Sequence, residues 1–335
     1  MSRLNFRISM ALFFLFLATP GFAKGSKKPK PEPRALKKLI EIDRIKAKPI
    51  TRNGEPLFDL EQAVNAQAYT AALTIGKFTV KTRQGQTVLL DQQTAGLKAV
   101  VAQNDGLVLS DEESCLANIP LLRFSGEVLD LELISATGAK LGFSPKLGFD
   151  VGFEGSFDVK RTQMTAVYLA SDATNKRILH SVTRGDSIKE KSGSARISFL
   201  DLFSLGFDHY QRTPIARVVQ QNLNNGFFEI AKATESLVWE APIMVSDGPF
   251  ISINAGFDAG IKKGDRFKVQ NRTHFWAGAP CQSEYYGSRA DVDDTAVVEI
   301  YDVQTTHSWA QVTEWKKPEA KILPGARVQV QQLVP

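Results

Sequence analysis

Between Lys140 and Lys160 the chain alternates with a period of two. Leu141, Phe143, Leu147, Phe149, Val151, Phe153, Phe157 and Val159 occupy odd positions, and no even position is apolar. The even side reads Lys140, Gly142, Ser144, Lys146, Gly148, Asp150, Gly152, Glu154, Ser156, Asp158 and Lys160, and only Pro145 and Gly155 interrupt the apolar side. Successive side chains of a strand point to opposite faces, so this pattern specifies β structure with one greasy and one wet surface. A half-buried soluble strand is usually about five or six residues long, whereas a strand crossing a bilayer in a barrel needs about ten. Two readings are open at this point: a long hairpin packed on the protein's own core, or a membrane hairpin with lipid on one side and a wet lumen on the other.

The ends of the chain narrow the compartment. Arg3 and Arg7, an apolar run from Met10 to Leu17, and Gly21-Phe22-Ala23 before Lys24 have the layout of a cleavable secretory signal, residues 1–23. No cysteine stands at the cleavage point, so the usual acyl-anchor signal is missing. A Lys- and Pro-rich linker, residues 24–38, follows. The net charge of +5 belongs to these leading residues: nine of the 41 bases but one of the 36 acids precede Leu39, leaving a mildly acidic body of 32 bases and 35 acids. The basic segment is read as a solvated linker, with contact to phosphate-bearing lipid or peptidoglycan as the alternative. Nucleic acid is not an expected partner. Cys115 and Cys281 are the two cysteines, and in an oxidising compartment they pair if the fold brings them together.

Two domains are expected after the linker, at 39–240 and 245–335. Leu39 to Ile45 reads as a first strand, and Lys46 to Leu57 as a loop. A helix then starts at Asp59, whose side chain suits an N-cap with Gln62 three residues on, and runs through Ala63, Ala66, Ala68, Ala71, Ala72 and Leu73 to Gly76. Short strands are expected at 78–81 and 88–90, and a short helix at 96–103. A long strand region begins at Leu121. Met164 to Ala170 and Ile178 to Val182 form a hairpin about Asp172-Ala173-Thr174-Asn175. Thr213-Pro214 opens a second helix with Ile215, Val218, Val219 and Leu223 along one stripe. From about Val245, short β segments separated by Gly, Asp and Pro turns predict a small all-β domain.

Catalytic chemistry has no foothold in these residues. His180, His209, His274 and His307 are scattered without metal-ligand spacing, and no nucleophile elbow, phosphate loop or dinucleotide fingerprint occurs. Asp291, Asp293 and Asp294 begin like a calcium loop, but Ala296 stands where the glycine belongs. No enzyme activity, cofactor or metal is expected.

The order of elements resembles that of the curli secretion channel family (CsgG-like) over roughly Leu39 to Ala233. The likeness is carried by Phe58 with the Asp59 to Leu73 helix, Gly126-Glu127-Val128, the Leu141 to Val159 run, Val167 to Ala170 followed by Thr174 to Leu179, and Phe199-Leu200-Asp201 through Thr213-Pro214. The resemblance implies an α+β fold: a periplasmic α/β domain that assembles as a homo-oligomeric ring, each copy lending hairpins near 127–160 and 187–212 to one outer-membrane barrel. On that reading the odd residues from Leu141 to Val159 face lipid, while Lys140, Lys146, Asp150, Glu154 and Asp158 face the lumen. It also implies that the loop holding Asn53, Leu57 and Phe58 narrows a channel for an exported polypeptide, although Phe58 equally suits a hydrophobic staple at the helix start. Three departures stand against it: the missing anchor cysteine, the charges Lys189, Glu190 and Lys191 in the second arm, and the added C-terminal β domain. That domain, through Asn254-Ala255-Gly256 to Val269, resembles the small SH3-like barrel ending the flagellar assembly protein FlgT. The alternative to an outer-membrane secretion pore is therefore a soluble periplasmic ring or scaffold of flagellar basal-body type, partnered by other envelope-assembly proteins.

Overall fold

The computed structural model describes residues 34–334 except 53–54, 83–86, 92–97, 102–114, 136, 139, 144–148, 151–155, 191–194 and 199–209. For 52, 55–57, 87, 89–91, 98–101, 140–143, 149–150, 156–157 and 195–198 it describes the backbone alone. The architecture is α+β, a mixed sheet covered by two helices followed by a closed six-stranded barrel.

β1 (Lys38–Lys46) enters the middle of the sheet because both its faces are apolar: Leu39, Ile40, Ile42 and Ile45 are all buried. The chain then makes a small hairpin, β2 (Ile50–Arg52) and β3 (Glu55–Phe58), where an irregular loop is expected from the sequence. Asn53-Gly54 between these strands is a hairpin-turn dipeptide, so the signal was there to be read. Helix α1 (Leu60–Thr74) starts as predicted, with the Asp59 carboxylate accepting from Gln62 N at 2.9 Å. It returns the chain to β4 (Phe78–Lys81), parallel to β1. Along the way the Asn65 amide bonds both the N–H and the C=O of Ile45, satisfying the backbone where the β1 ladder slips register.

β5 (Thr87–Asp91) and β6 (Lys98–Val101) follow as antiparallel strands at one edge. Where a helix is expected at 96–103, the described residues 98–101 are thus a strand. Val100 and Val101 are poor helix formers and good strand formers, and pairing of Val100 with Leu89 settles the local ambiguity in favour of the sheet.

The other half of the sheet is built by β7 (Leu122–Ser135), β10 (Ser156–Asp172) and β11 (Ile178–Lys189). β7 is parallel to β1, and β10 and β11 add to it antiparallel. The hairpin about residues 172–175 forms as expected, with Asp172 accepting from Thr174 N and Oγ1. Helix α2 (Pro214–Ala233), capped by Thr213 through Ala216 N, lies across β10 and β11 beside α1. One core joins both helices to the sheet. Phe124, Phe227 and Tyr168 stack at its centre, with centroids 3.8 and 5.5 Å apart about Phe124. The buried Tyr168 hydroxyl donates to Asn222 Oδ1 at 2.6 Å, which answers the cost of burying it.

After α2 come β13 (Glu240–Asp247), β14 (Phe250–Ile253), β15 (Arg266–Gln270), β18 (Ala296–Val303), β19 (Ser308–Trp315) and β20 (Arg327–Gln332), closed in the order β13, β14, β19, β18, β15, β20. Closure removes every edge, and the barrel encloses its own core around Ile251, Ile253, Phe267, Val298 and Val328. A separate hairpin, β16 (Arg272–Trp276) and β17 (Tyr285–Ala290), projects from it.

At Gly226, α2 passes close against the sheet. A Cβ there would lie 2.4 Å from the Tyr168 ring, which is buried and hydrogen-bonded and has nowhere to turn. Alanine favours a helix by about 1 kcal/mol over glycine, but overpacking costs about 1–3 kcal/mol. Gly226→Ala is expected to lower the urea unfolding midpoint in spite of its better helix propensity. An unchanged or raised midpoint would contradict the packing described here.

Candidate functional site

The segments expected to be hairpins meet at one end of the sheet, beyond the point where β1 stops. There β8 (Lys140–Phe143) folds back on β7, pairing Leu141 with Leu133 and Phe143 with Leu131. β12 (Ala195–Ser198) pairs with the start of β10 along the edge that β11 follows further on. The result is a four-stranded antiparallel extension in the order β8, β7, β10, β12. The described parts of the alternating run lie in β8, in β10 and in the short β9 (Phe149–Asp150), which runs parallel to β2.

This placement bears on the residues singled out from the sequence. Val159 is wholly buried in the core shared with α1 and α2, opposite Ser135 of β7. Its expected place against lipid is therefore corrected: Val159 has no surface to offer. Leu133 and Leu131, the partners of Leu141 and Phe143, are likewise buried. Asp158 is exposed on the other face. Lys140, Leu141, Phe143, Phe149, Asp150 and Phe157 are placed by backbone only. Leu147, Val151 and Phe153, with Lys146 and Glu154, fall outside the described residues.

Of the expected constriction, Asn53 lies outside the described residues and Leu57 is placed by its backbone in β3. Phe58 is half-buried and stacks on Tyr210 at 4.9 Å between centroids. Tyr210 donates to Gln67 of α1, and Gln67 donates to Ala216 O of α2, so Phe58 sits at the point that ties the two helices together.

A second constellation, of which the sequence announced only the two cysteines, lies where the sheet lobe meets the barrel. Cys115, on a helical turn at 115–117, is disulfide-bonded to Cys281 in the loop of the β16–β17 hairpin, with Cα atoms 5.9 Å apart. The same hairpin bonds the β10–β11 turn through Ser288 N to Thr174 O at 3.0 Å, and Lys176 pairs with Glu284. The fully buried Arg327 of β20 donates to Ile119 O and Pro120 O, 2.8 and 3.2 Å away, while Glu240 holds Arg272 by two bonds of 2.7 Å. Lys81 of β4 donates to Asn254 Oδ1 at 2.9 Å, and Asn254 donates onward to Ala117 O at 2.7 Å. Asp258 faces Lys81 with a raised carboxyl pKa, because burial outweighs the attraction of the ammonium. None of this offers a nucleophile and base in a cleft. Asp293 and Asp294 are paired with Lys317 and Lys268, each at 3.0 Å, and no metal-holding group of His, Cys, Asp and Glu occurs among the described residues.

No family model and no curated protein matches this sequence. Among solved structures, a PelC dodecamer from Paraburkholderia phytofirmans is similar at 10% identity over 58% of this chain and 89% of that one, with a TM-score of 0.28. A likeness at that score carries no argument. No helix among the described residues is long and apolar enough to cross a membrane, which says nothing about strands.

Burial lowers the Lys81 pKa from 10.5 to about 8. The unfolded chain therefore holds more protons than the native one between these values, so raising the pH through that window relieves the cost of burying the charge. Unfolding free energy measured in urea is expected to rise from pH 7.5 to 9.5 by more in the wild type than in Lys81→Met, by about 2 kcal/mol. Equal pH slopes in the two proteins would contradict the seam's assignment.

Proposed function

We propose that this chain is a non-enzymatic subunit of a ring or scaffold in the bacterial envelope, exported to the periplasm and folded there as a soluble body. The observation that supports this reading is the inward placement of the run's last apolar residue. Val159 fills the subunit's own core, and β8 is in register with the buried Leu131 and Leu133. Val159, the one apolar side chain of the run described, is therefore spent on the subunit's own core before any bilayer is met. The disulfide between the sheet lobe and the barrel suits an oxidising compartment, and in the charged second arm Glu190 pairs with Arg217 of α2.

A second reading is the CsgG-like outer-membrane secretion pore. The four-stranded antiparallel extension favours it, because it is made of the segments that would enter a shared barrel, and strands span lipid only in a closed barrel. The two readings separate on extraction. Carbonate-washed outer membranes are expected to release the wild-type protein, and Phe149→Asp with Phe153→Asp is expected to leave its fractionation unchanged. Retention of the wild type in washed membranes, lost in the double variant, would overturn the scaffold and establish the pore.

A further inference from the structure

β11 ends the sheet, and its outer edge carries no strand partner among the described residues. At twelve residues, about 40 Å, it is a long edge to leave open. Edges are usually guarded by proline, by bulges or by outward charges. β11 has no proline, and its central charges are turned onto α2: Arg184 pairs with Glu229, and Asp186 accepts from Asn222 and Asn225 at 2.8 and 2.7 Å. The opposite face of the strand presents Ser181, Thr183 and Gly185, all exposed, small and uncharged. Two of the large apolar side chains left exposed in the sheet lobe flank this edge. Ile178 opens the strand at 59% exposure; Phe228, 60% exposed, lies three residues beyond Asn225 on the flank of α2 that reaches β11.

We propose that β11 is an assembly edge that pairs antiparallel with β11 of a second copy about a two-fold axis through Gly185. The choice of occupant rests on self-complementarity. Centred on Gly185, the pairing sets Arg184 opposite Asp186 of the partner subunit, Thr183 opposite Ser187 of the partner subunit, and Val182 opposite Ile188 of the partner subunit. Moving the axis one residue either way places arginine on arginine or aspartate on aspartate, which is destabilising for directly opposed strands. At the axis itself there is no side chain to collide. An isologous contact of this kind closes on itself and yields a dimer. It is independent of the scaffold reading, since it requires neither a membrane nor a ring.

The axis residue makes the idea testable without unfolding the protein. A Cβ at Gly185 would meet only Thr165 Oγ1, at the ordinary contact distance of 3.7 Å, and the position does not require a positive φ, so substitution there is compatible with the native strand. By sedimentation velocity the full mature chain is expected to dimerise, and Gly185→Lys, which opposes two ammonium groups at the axis, to weaken the dimer by at least about tenfold. Under mild oxidation Gly185→Cys should give a covalent dimer. Thr183→Cys alone should not, whereas an equimolar mixture of Thr183→Cys and Ser187→Cys should. Three results would each overturn the proposal: a wild type that stays monomeric at about 100 µM, roughly the concentration where weak but specific contacts are populated; an oligomer indifferent to Gly185→Lys; or crosslinking of Thr183→Cys with itself as readily as of Gly185→Cys.

Discussion

One extra residue in a ladder decides which way the amphipathic ribbon faces. Between Val159 and Arg161 the β10 strand slips against β7, so that Val159 opposes Ser135 and Arg161 already opposes Ile134. Before the slip the odd residue Val159 is buried; after it the even residues Thr162, Met164, Ala166, Tyr168 and Ala170 are. Since the side-chain period of a strand is two, a bulge at Lys160 reverses the inward face. Without it, either Val159 or the Tyr168 row would point away from the helices. The slip lets the end of the alternating run and the long strand after it serve one continuous core.

Much else depends on that face being filled from above. α2 reaches the sheet closely only because Gly226 leaves room for the Tyr168 ring, and Asn222 beside it gathers the Tyr168 hydroxyl, Asp186 and Arg184 O into one buried polar knot. Such a knot holds strand and helix in a single register, because each partner left alone would be a costly unsatisfied group. The barrel is fastened to the sheet lobe in a similar manner, by Arg327 on the carbonyls of Ile119 and Pro120, by the Lys81 and Asn254 relay, and by the disulfide.

These features were legible in the sequence to very different degrees. Local signals were read correctly where the physics is local: Asp59 with Gln62, and Thr213 with Pro214, announced both helices because a cap needs only its own first turn. The Asn53-Gly54 dipeptide was an equally local signal for the β2–β3 pairing within what reads as a loop. Val100 and Val101 became strand by pairing with β5, a decision made outside their own segment. The slip at Lys160 left no trace, since Val167 and Leu169 keep β10 apolar on both faces. Nor could Lys81 be matched with Asn254, 173 residues away, or Arg327 with Ile119, 208 away; only the cysteines, being two, named each other as candidates.

Labelling at position 159 asks most directly whether the ribbon's greasy side belongs to the subunit itself. In a Val159→Cys variant with its native disulfide intact, the thiol is expected to stay unreactive to maleimide in water and equally with lipid vesicles, and to react only on unfolding in urea. Reaction in the native protein, or quenching by brominated lipid of a fluorophore placed there, would show that this face is released to the bilayer and would contradict the account.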